Sequence, residues 1–298
     1  MHILITGSSG LIGAALKAAL QTSPHNITCV TRDHTENSPA WWDIDGQVMH
    51  LPQTPPADAV IHLAGESIAS GLWTASRKNR ILNSRVEGTQ LLCDTLASLK
   101  HKPECLISAS AVGFYGHQSD DKLDESSPAG QGFLADVCQA WEEATRPASE
   151  AGIRVVHARL GVVLDKQGGM LARMLLPFRL GLGGPLGHGQ QSMSWVSLTD
   201  LVRSFDFILN HPEVQGPVNI TSPNPVTNQT FTQTLAHTLH RPAFFRVPKL
   251  AIDSLLGDFG RELLLANQHV TPEKLLSAGF KFEHPTIETS LQHLLLKS

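Results

Sequence analysis

The chain opens with HILITGSSGLIG, residues 2–13. Its first part, His2 to Ile5, is a short apolar run rich in β-branched residues and predicts a buried strand. The chain then turns through residues 7–10 into an amphipathic pattern that predicts a helix from Leu11 to Leu20. A helix N-terminus offers unpaired N–H groups and the positive end of the helix dipole, which together hold a phosphate. This stretch therefore predicts both an α/β fold and an anion site.

The glycines of the turn have the spacing of a dinucleotide-binding loop. Gly7 permits the tight bend, Gly10 lets the backbone approach a pyrophosphate, and Gly13 lets the helix pack closely. A glycine triplet alone is a weak signal, but this one has a predicted strand before it and a predicted helix after it. The expected cofactor-binding residues of the turn are Gly7, Ser8, Ser9, Gly10, Leu11, Ile12 and Gly13. The alternative is an ordinary strand, turn and helix that happen to contain three glycines.

The end of the second predicted strand, Ile27–Val30, indicates which dinucleotide is bound. Thr31, Arg32 and Asp33 follow it. An acidic residue at this place accepts hydrogen bonds from a ribose 2′-hydroxyl, whereas an arginine pairs with a 2′-phosphate. Arg32 therefore favours NADP as the cofactor, and the adjacent Asp33 argues against it. The alternative for Arg32 is a solvated loop residue.

Strands and helices continue to alternate along the chain. Predicted strands cover Ala59–Leu63, Cys105–Ser108 and Arg154–Leu160, and predicted helices cover Ser76–Leu99 and Phe133–Ala151, the latter closed by Gly152. This alternation implies right-handed crossovers and a doubly wound parallel sheet with helices on both faces, a Rossmann architecture. Ligands bind at the carboxyl ends of such strands, so we expect cofactor contacts from the residues there: Leu63, Ala64, Gly65 and Ser108.

The pattern changes after residue 165. We expect a Rossmann core over residues 1–165, to which elements of 190–225 return, and a smaller substrate-side and C-terminal region over 166–298. Gly181–Gly189 holds five glycines in nine residues and is either a lid over substrate or a surface loop. Gln190–Val196 predicts one short strand. Thr271, Pro272 and Glu273 predict a helix start with an N-cap and proline at the first position.

Composition excludes several classes of function. The net charge is −4 without basic runs, so we expect neither nucleic acid nor an anionic membrane as a partner. No apolar run is long enough to span a bilayer, and we expect no signal peptide. The four cysteines are scattered, which favours reduced thiols and a cytoplasmic location. The histidines show no metal-ligand spacing, and we expect no metal site.

The residues also resemble a known family. The TGSSGLIG turn, HLAG at 62–65, RVEGT at 85–89, SASAVGFYG at 108–116 and SWVSLTDL at 194–201 are similar to the extended short-chain dehydrogenase/reductase superfamily, the NAD-dependent epimerase/dehydratase group. Three longer strings resemble a narrower branch, the atypical "epimerase family" proteins with their own C-terminal domain of the DUF1731 type. These strings are AGESIASGLW (64–73), FLADVCQAWE (133–142) and KLLSAGFKFEHPTIETSL (274–291). The resemblance implies a Rossmann fold that binds NADP(H), with a substrate cleft roofed by the C-terminal region.

The chain departs from the superfamily at its acid–base pair. Working members use a serine together with a YxxxK pair, whose tyrosine transfers the proton and whose lysine lowers the tyrosine pKa. Aligning Glu142 with the acidic residue that usually follows this motif places Leu134 and Cys138 at the two positions. Leucine has no proton to transfer, and a thiol is not a fixed cation. The serine position is kept as Ser110, and Arg85 replaces an asparagine usual on the middle helix.

Three residues are candidates for catalysis. Ser110 could hydrogen-bond a substrate oxygen or merely cap a loop. Tyr115, the only tyrosine, could replace the missing acid or be structural. Glu66 could face the cleft with Arg85 or form an ordinary ion pair.

The sequence favours an NADP(H)-dependent oxidoreductase or epimerase-like protein. Its expected substrate is a small polar carbonyl or hydroxyl compound, which can be nucleotide-linked, and a homodimer is the expected assembly. The alternative is a regulatory protein that binds NADP(H) as a sensor without turnover. The missing tyrosine and lysine favour the alternative, whereas Ser110 and the full substrate-side region favour an enzyme.

Overall fold

The computed structural model describes residues 1–32, 39–52, 54–117 and 122–296. Asp33, which bears on the reading of Arg32, lies outside these ranges. The chain forms two compact units of interleaved segments. The first unit consists of residues 1–110, 137–158 and 202–218, and the second of residues 111–136, 159–201 and 219–298. The boundary expected near residue 165 stays a prediction.

The strands follow the chain as β1 (His2–Thr6), β2 (Asn26–Val30), β3 (Trp41–Asp43), β4 (Val48–His50), β5 (Ala59–His62), β6 (Cys105–Ala111), β7 (Lys122–Leu123), β8 (Arg154–Leu160), β9 (Val162–Leu164), β10 (Ser192–Met193), β11 (Trp195–Ser197), β12 (Gly216–Ile220), β13 (Val226–Thr227) and β14 (His269–Val270). The helices are α1 (Leu11–Gln21), α2 (Ala75–Ser98), α3 (Phe133–Glu143), α4 (Arg146–Glu150), α5 (Gly169–Arg179), α6 (Leu198–Asn210), α7 (Asn228–Leu239), α8 (Lys249–Phe259), α9 (Glu273–Ser277) and α10 (Ile287–Leu296). A 3-10 helix covers Val112–Tyr115 and a π-helix covers Gly260–Leu264.

The central sheet confirms the predicted α/β architecture. Its six parallel strands lie in the order β12-β8-β6-β5-β1-β2. The register pairs Ile5 with Cys29 and with Ile61, and it pairs His62 with Ser108. All five residues of β1 are buried, as an interior parallel strand requires. This order brings the carboxyl ends of β1, β5 and β6 side by side.

Each unit has its own apolar core. In the first unit Leu4, Val60 and Leu106 of the sheet contact Leu92 and Leu96 of α2. These side chains are at most 1% exposed. Burial of a leucine or valine side chain contributes about 1.5–3 kcal/mol, so this contact fixes α2 on the sheet. In the second unit a separate cluster is built on the following residues: Trp195, Phe231, Leu235, Ile287 and Leu291.

Three sequence predictions were wrong in detail. The helix predicted over Phe133–Ala151 is two helices, α3 and α4, because Pro147 has no N–H to donate and its ring crowds the carbonyl of Glu143, where α3 ends. Gly152 has φ +85° and follows α4 as the predicted left-handed residue. The strand predicted over Gln190–Val196 is two strands, because Met193 pairs with Val226 whereas Trp195 pairs with Val162.

The third correction concerns the start of α9. This helix begins at Glu273, and Pro272 occupies the N-cap position without a side-chain cap. Thr271, the expected cap, donates its hydroxyl to the Leu123 carbonyl oxygen at 3.2 Å instead. The predicted start was therefore wrong by one residue, because Thr271 belongs to the pairing of β14 with β7.

The glycine-rich segment Gly181–Gly189 is fastened along residues 245–247 in the second unit. Gly187 N–H donates to the Val247 carbonyl at 2.8 Å, and Val247 N–H donates to the Pro185 carbonyl at 3.0 Å. A Cβ added at Gly184 would lie 2.0 Å from the Phe245 carbonyl oxygen, so only glycine allows this approach. A lid role for the segment stays a prediction. Among the described residues, none of the helices has the length and apolar character needed to cross a membrane.

Candidate functional site

Among the described residues, no backbone partner is found for the first donors of α1, in the turn that follows β1. Gly10 N–H donates to the Gly7 carbonyl at 3.1 Å, and Ala14 N–H makes the first helical bond, to the Gly10 carbonyl at 2.8 Å. The N–H groups of Leu11, Ile12 and Gly13 precede that bond and are the donors that a helix N-terminus leaves unsatisfied. Gly10 is the N-cap and has no side chain to close this end. The turn is therefore built as an anion site.

The three glycines of the turn meet different surroundings. A Cβ added at Gly13 would lie 2.3 Å from the Gly7 carbonyl oxygen, and one at Gly7 would lie 2.8 Å from the Leu63 carbonyl carbon. Gly7 also has φ +67°, which favours glycine. A Cβ at Gly10 meets only the Gly7 oxygen, at 3.4 Å. Gly7 and Gly13 are thus required by the chain itself, whereas Gly10 borders open space, which is what a bound pyrophosphate needs.

The neighbouring strand end is held against this turn by one hydroxyl. Thr6 Oγ1 accepts the N–H groups of Leu63 at 3.2 Å and Ala64 at 3.3 Å. This contact sets the predicted residues Leu63, Ala64 and Gly65 beside the glycine turn. A Cβ at Gly65 would lie 3.3 Å from Arg85 Cγ, so the backbone here passes close to α2.

A buried histidine braces the sheet below the turn. His62 Nδ1 lies 2.8 Å from Thr6 Oγ1, and its Nε2 lies 2.9 Å from Thr89 Oγ1, which also accepts the Trp141 indole N–H at 2.9 Å. His62 is fully buried, and burial lowers its pKa from 6.5 to about 4. The imidazole is therefore neutral at pH 7 and joins β1, β5 and α2 as a hydrogen-bonding bridge.

Two predicted cofactor residues remain. Ser108 lies on β6, and Arg32 lies beyond the end of β2. Ser108 is 1% exposed, and within the described part of the chain its hydroxyl has no hydrogen-bond partner. A buried hydroxyl without a partner costs about 1–3 kcal/mol, which a bound polar ligand would offset. Arg32 is exposed two residues after β2 ends. An orphaned hydroxyl, free helix donors and a glycine bordering open space together fit a dinucleotide.

Ser110 lies two residues after Ser108 on β6, and its side chain bonds to α3. Its hydroxyl donates to Glu142 Oε1 at 2.7 Å. The serine is 2% exposed, so this is a charge-assisted bond in a dry setting. In the sequence, Glu142 served only to align the positions of the YxxxK motif. Its contact with Ser110 could not be predicted, because only the fold brings β6 and α3 together.

Glu66 is engaged in ion pairs. Its Oε1 lies 2.7 Å from Arg77 NH1 and 3.5 Å from the Arg80 Nε. Arg85 NH1 instead donates to the carbonyl oxygens of Glu66 at 3.0 Å and Ile81 at 3.1 Å. The Arg85 guanidinium lies 4.9 Å from the centre of the Trp141 ring, and burial lowers its pKa.

Tyr115 belongs to a buried network of the second unit. Its hydroxyl donates to Asn219 Oδ1 at 2.8 Å and accepts from Arg159 NH1 at 3.0 Å. Burial raises the pKa of this phenol. Asn219 N–H in turn donates to Glu125 Oε1 at 3.0 Å, and burial raises the pKa of that carboxyl. These bonds account for Tyr115 as a packed residue; a catalytic role for it stays a prediction.

Comparisons with known proteins agree with this geometry. Residues 3–221 match the model of the NAD dependent epimerase/dehydratase family, and residues 247–294 match the domain of unknown function DUF1731. The chain is 43% identical over 290 residues to "Epimerase family protein Mb2239" of Mycobacterium bovis, covering 97% of this chain and 96% of that protein. It is 33% identical to "Epimerase family protein YfhF" of Bacillus subtilis, covering 99% and 98%.

A solved structure is similar over the whole chain. The crystal structure of human epimerase family protein SDR39U1 (isoform 2) with NADPH has a TM-score of 0.91, is 32% identical, and covers 100% of both chains. Family matches over most of the length, relatives above 30% identity and the observed sheet all agree. This chain therefore belongs to the NAD dependent epimerase/dehydratase family, in the branch that carries a C-terminal DUF1731 domain.

Proposed function

We propose that this chain binds NADPH at the glycine turn of its first unit and uses it in a redox reaction on a small polar carbonyl or hydroxyl compound. The observation that carries the proposal is the turn itself, with donors at Leu11 to Gly13 and open space at Gly10. The human relative that crystallised with NADPH has the same fold over its full length, which supports the choice of cofactor.

Each part of the site has a role in binding. The N–H groups of Leu11, Ile12 and Gly13 hold the pyrophosphate, and the absent side chain of Gly10 gives it room. Arg32 pairs with the 2′-phosphate through charge-assisted bonds, and its exposure leaves the guanidinium available. The buried hydroxyl of Ser108 gains the partner that it lacks within the described residues.

The chemistry is divided between cofactor and chain. Bound NADPH supplies a hydride. Ser110 orients the substrate oxygen by a hydrogen bond, since it stands at the position of the family's serine and its hydroxyl is already polarised by Glu142. Tyr115 and Glu66 rank behind Ser110 for this role because neither aligns with the family's serine, and their side chains are bonded to Asn219 and to Arg77.

A second candidate function is supported by the acid–base positions. Leu134 and Cys138 stand where the family carries its tyrosine and lysine, and proton transfer by a positioned side chain contributes about 10²- to 10⁴-fold. A chain that binds NADPH but transfers no hydride would be a sensor of the cofactor. Ordinary nucleotide-sugars should accordingly react slowly or not at all.

The two functions are separated by following bound NADPH. The fluorescence of the complex is recorded against a panel of carbonyl compounds that includes diacetyl, 9,10-phenanthrenequinone and a UDP-4-ketohexose. An enzyme loses the NADPH signal with one of them, and Ser110→Ala suppresses that loss while Ser98→Ala, at an exposed serine at the end of α2, does not. Persistent NADPH with the whole panel would favour the sensor, and rapid epimerisation of UDP-glucose would show that another residue replaces the tyrosine fully.

A further inference from the structure

Three polar side chains of the first unit stand in line from the end of β6 to the surface. Ser110 Oγ donates to Glu142 Oε1 at 2.7 Å, and Glu142 Oε2 lies 3.8 Å from His157 Nδ1. The three residues come from β6, α3 and β8, so the line is a product of the sheet and the helix that covers it.

The exposure of the three side chains increases from Ser110 to His157. Ser110 is 2% exposed, whereas the side chains of Glu142 and His157 are 11% and 20% exposed. Both Glu142 and His157 line an open groove of about 690 Å³, whose wall also includes Thr145, Gln215 and Gly216. The outer end of the line therefore borders a groove that is open to solvent.

Thr145 fixes the tautomer of the histidine. Its hydroxyl donates to the Glu142 carbonyl oxygen at 2.7 Å, so its one hydrogen is committed there. Thr145 Oγ1 lies 2.8 Å from His157 Nε2 and must therefore accept a hydrogen bond from that nitrogen. A neutral His157 then carries its proton on Nε2 and directs the lone pair of Nδ1 toward Glu142. The imidazole can take a proton on that side and return it.

Two other charged side chains described at the groove have partners of their own. Glu143 pairs with Arg146 at 3.2 Å on the rim. Arg154, at the start of β8, donates to the carbonyl oxygens of Val214 at 2.7 Å and Ile208 at 3.2 Å. Cys138 lies four residues before Glu142 on α3 and is buried.

We propose that Glu142 and His157 are a proton relay that connects Ser110 with solvent in the groove and replaces the tyrosine and lysine of the family. The proposal rests on the proposed function, because the relay serves the reaction at Ser110. Glu142 and His157 act through Ser110 and are positioning residues. Ser110 alone would touch the substrate.

The proton balance of a carbonyl reduction is as follows. The carbonyl carbon gains the hydride, and its oxygen gains the proton of the Ser110 hydroxyl. The His157 imidazolium passes a proton to Glu142 through one groove water, because Glu142 Oε2 and His157 Nδ1 are 3.8 Å apart. The Ser110 oxygen then takes that proton from Glu142, which returns to the carboxylate form that accepts the Ser110 hydroxyl. His157 regains its proton from water in the groove, so the net reaction consumes one hydride and one solvent proton. Oxidation of a hydroxyl runs the same transfers in reverse.

The first test measures the coupling in the chain without cofactor. The His157 imidazole is titrated by NMR in the unmodified chain, in Glu142→Gln and in Glu143→Gln. A carboxylate within about 4–6 Å favours the imidazolium, so Glu142→Gln should lower the titration midpoint by about one pH unit, a tenfold loss of proton affinity. Glu143→Gln, which removes a rim carboxylate already paired with Arg146, should leave the midpoint in place. An unchanged midpoint in Glu142→Gln would overturn the relay, whatever the chain catalyses.

The second test separates the relay from the proposed function. Oxidation of NADPH by 9,10-phenanthrenequinone or diacetyl is followed from pH 5 to 9. Glu142→Gln keeps an oxygen that can accept from Ser110 but has no titratable proton to transfer, so kcat should fall about 10²-fold or more with KM unchanged, and Glu142→Asp should recover part of it. His157→Gln should flatten the pH profile of kcat. Full activity of Glu142→Gln would overturn the relay and leave the proposed function standing, whereas an inactive unmodified chain would overturn both.

Discussion

Glu262 caps α3 at Leu134. Glu262 Oε2 accepts the N–H of Leu134 at 2.8 Å, and Oε1 accepts the N–H of Phe133 at 3.1 Å. Glu262 lies in the π-helix within the DUF1731 match, and Leu134 is the residue that the sequence comparison aligns with the superfamily's tyrosine as a prediction. A carboxylate from the DUF1731 match thus satisfies the first two backbone donors of α3.

This capping predicts a loss of stability in Glu262→Ala. Two backbone donors lose their acceptor, and the favourable interaction of a carboxylate with the helix dipole is removed. We expect the free energy of unfolding to fall by about 1–2 kcal/mol in urea titrations. Glu87→Ala, at an exposed carboxylate on α2, is the matched control and should change it by less than about 0.5 kcal/mol. Equal stability of the two variants would contradict the capping role.

Cofactor choice is predicted to depend on Arg32. Loss of one charge-assisted contact to a 2′-phosphate costs about 1.5–3 kcal/mol, so Arg32→Ala should weaken NADPH binding about ten- to a hundredfold and leave NADH binding unchanged. Titration calorimetry with both cofactors measures this. Lys102→Ala removes an exposed positive charge just before the amino end of β6, whereas Arg32 follows the carboxyl end of β2, and should have no effect. Equal affinity of the unmodified chain for NADPH and NADH would rule out the role of Arg32.

Burial of His62 predicts a pH-dependent contribution to stability. Its pKa is lowered from 6.5 to about 4 in the folded chain, so between these values the unfolded chain binds more protons. The contribution is fully present above pH 6.5 and is lost as the pH falls toward 4, by about 3 kcal/mol at most. Urea titrations from pH 4.5 to 7.5 should therefore show a shallower pH dependence for His62→Gln. His101→Gln, at an exposed histidine, should keep the slope of the unmodified chain, and the same slope for His62→Gln would refute the assignment.

Tyr115→Phe is predicted to reduce stability and to spare NADPH binding. The substitution removes the donor to Asn219 and the acceptor for Arg159, both in a buried network, which costs about 1–3 kcal/mol. In a double-mutant cycle with Asn219→Ala, the double variant should lose less stability than the sum of the losses in the two single variants, because the two residues share one bond. Strictly additive losses would show that the bond contributes nothing, and a large fall in kcat with intact stability would point to the catalytic role instead.

The sequence predicted the parts of this structure that depend on local pattern. The glycine turn, the alternation of strands and helices, and the left-handed Gly152 all follow from neighbouring residues, and the structure has them. The break between α3 and α4 could also have been predicted. Pro147 has no N–H to bond to the Glu143 carbonyl, and its ring crowds that carbonyl, so a continuous helix is disfavoured there.

The contacts that define the candidate site are of another kind. Ser110 meets Glu142 across 32 residues, and Leu134 meets Glu262 across 128. No periodicity or spacing in the sequence encodes such pairs, because they depend on how the helices are laid on the sheet. Glu142 was recognised as an acidic residue at a family position, but its partner could be identified only in the fold.

The central claim, that NADPH binds at the glycine turn, is tested most directly by titration calorimetry of NADPH with the unmodified chain and with Gly10→Val. A Cβ at Gly10 meets the chain only at 3.4 Å, so the variant should remain folded by circular dichroism while its side chain fills the space of the pyrophosphate. We predict binding to the unmodified chain and none to folded Gly10→Val. Unchanged NADPH affinity in that variant would place the phosphates elsewhere and contradict the account.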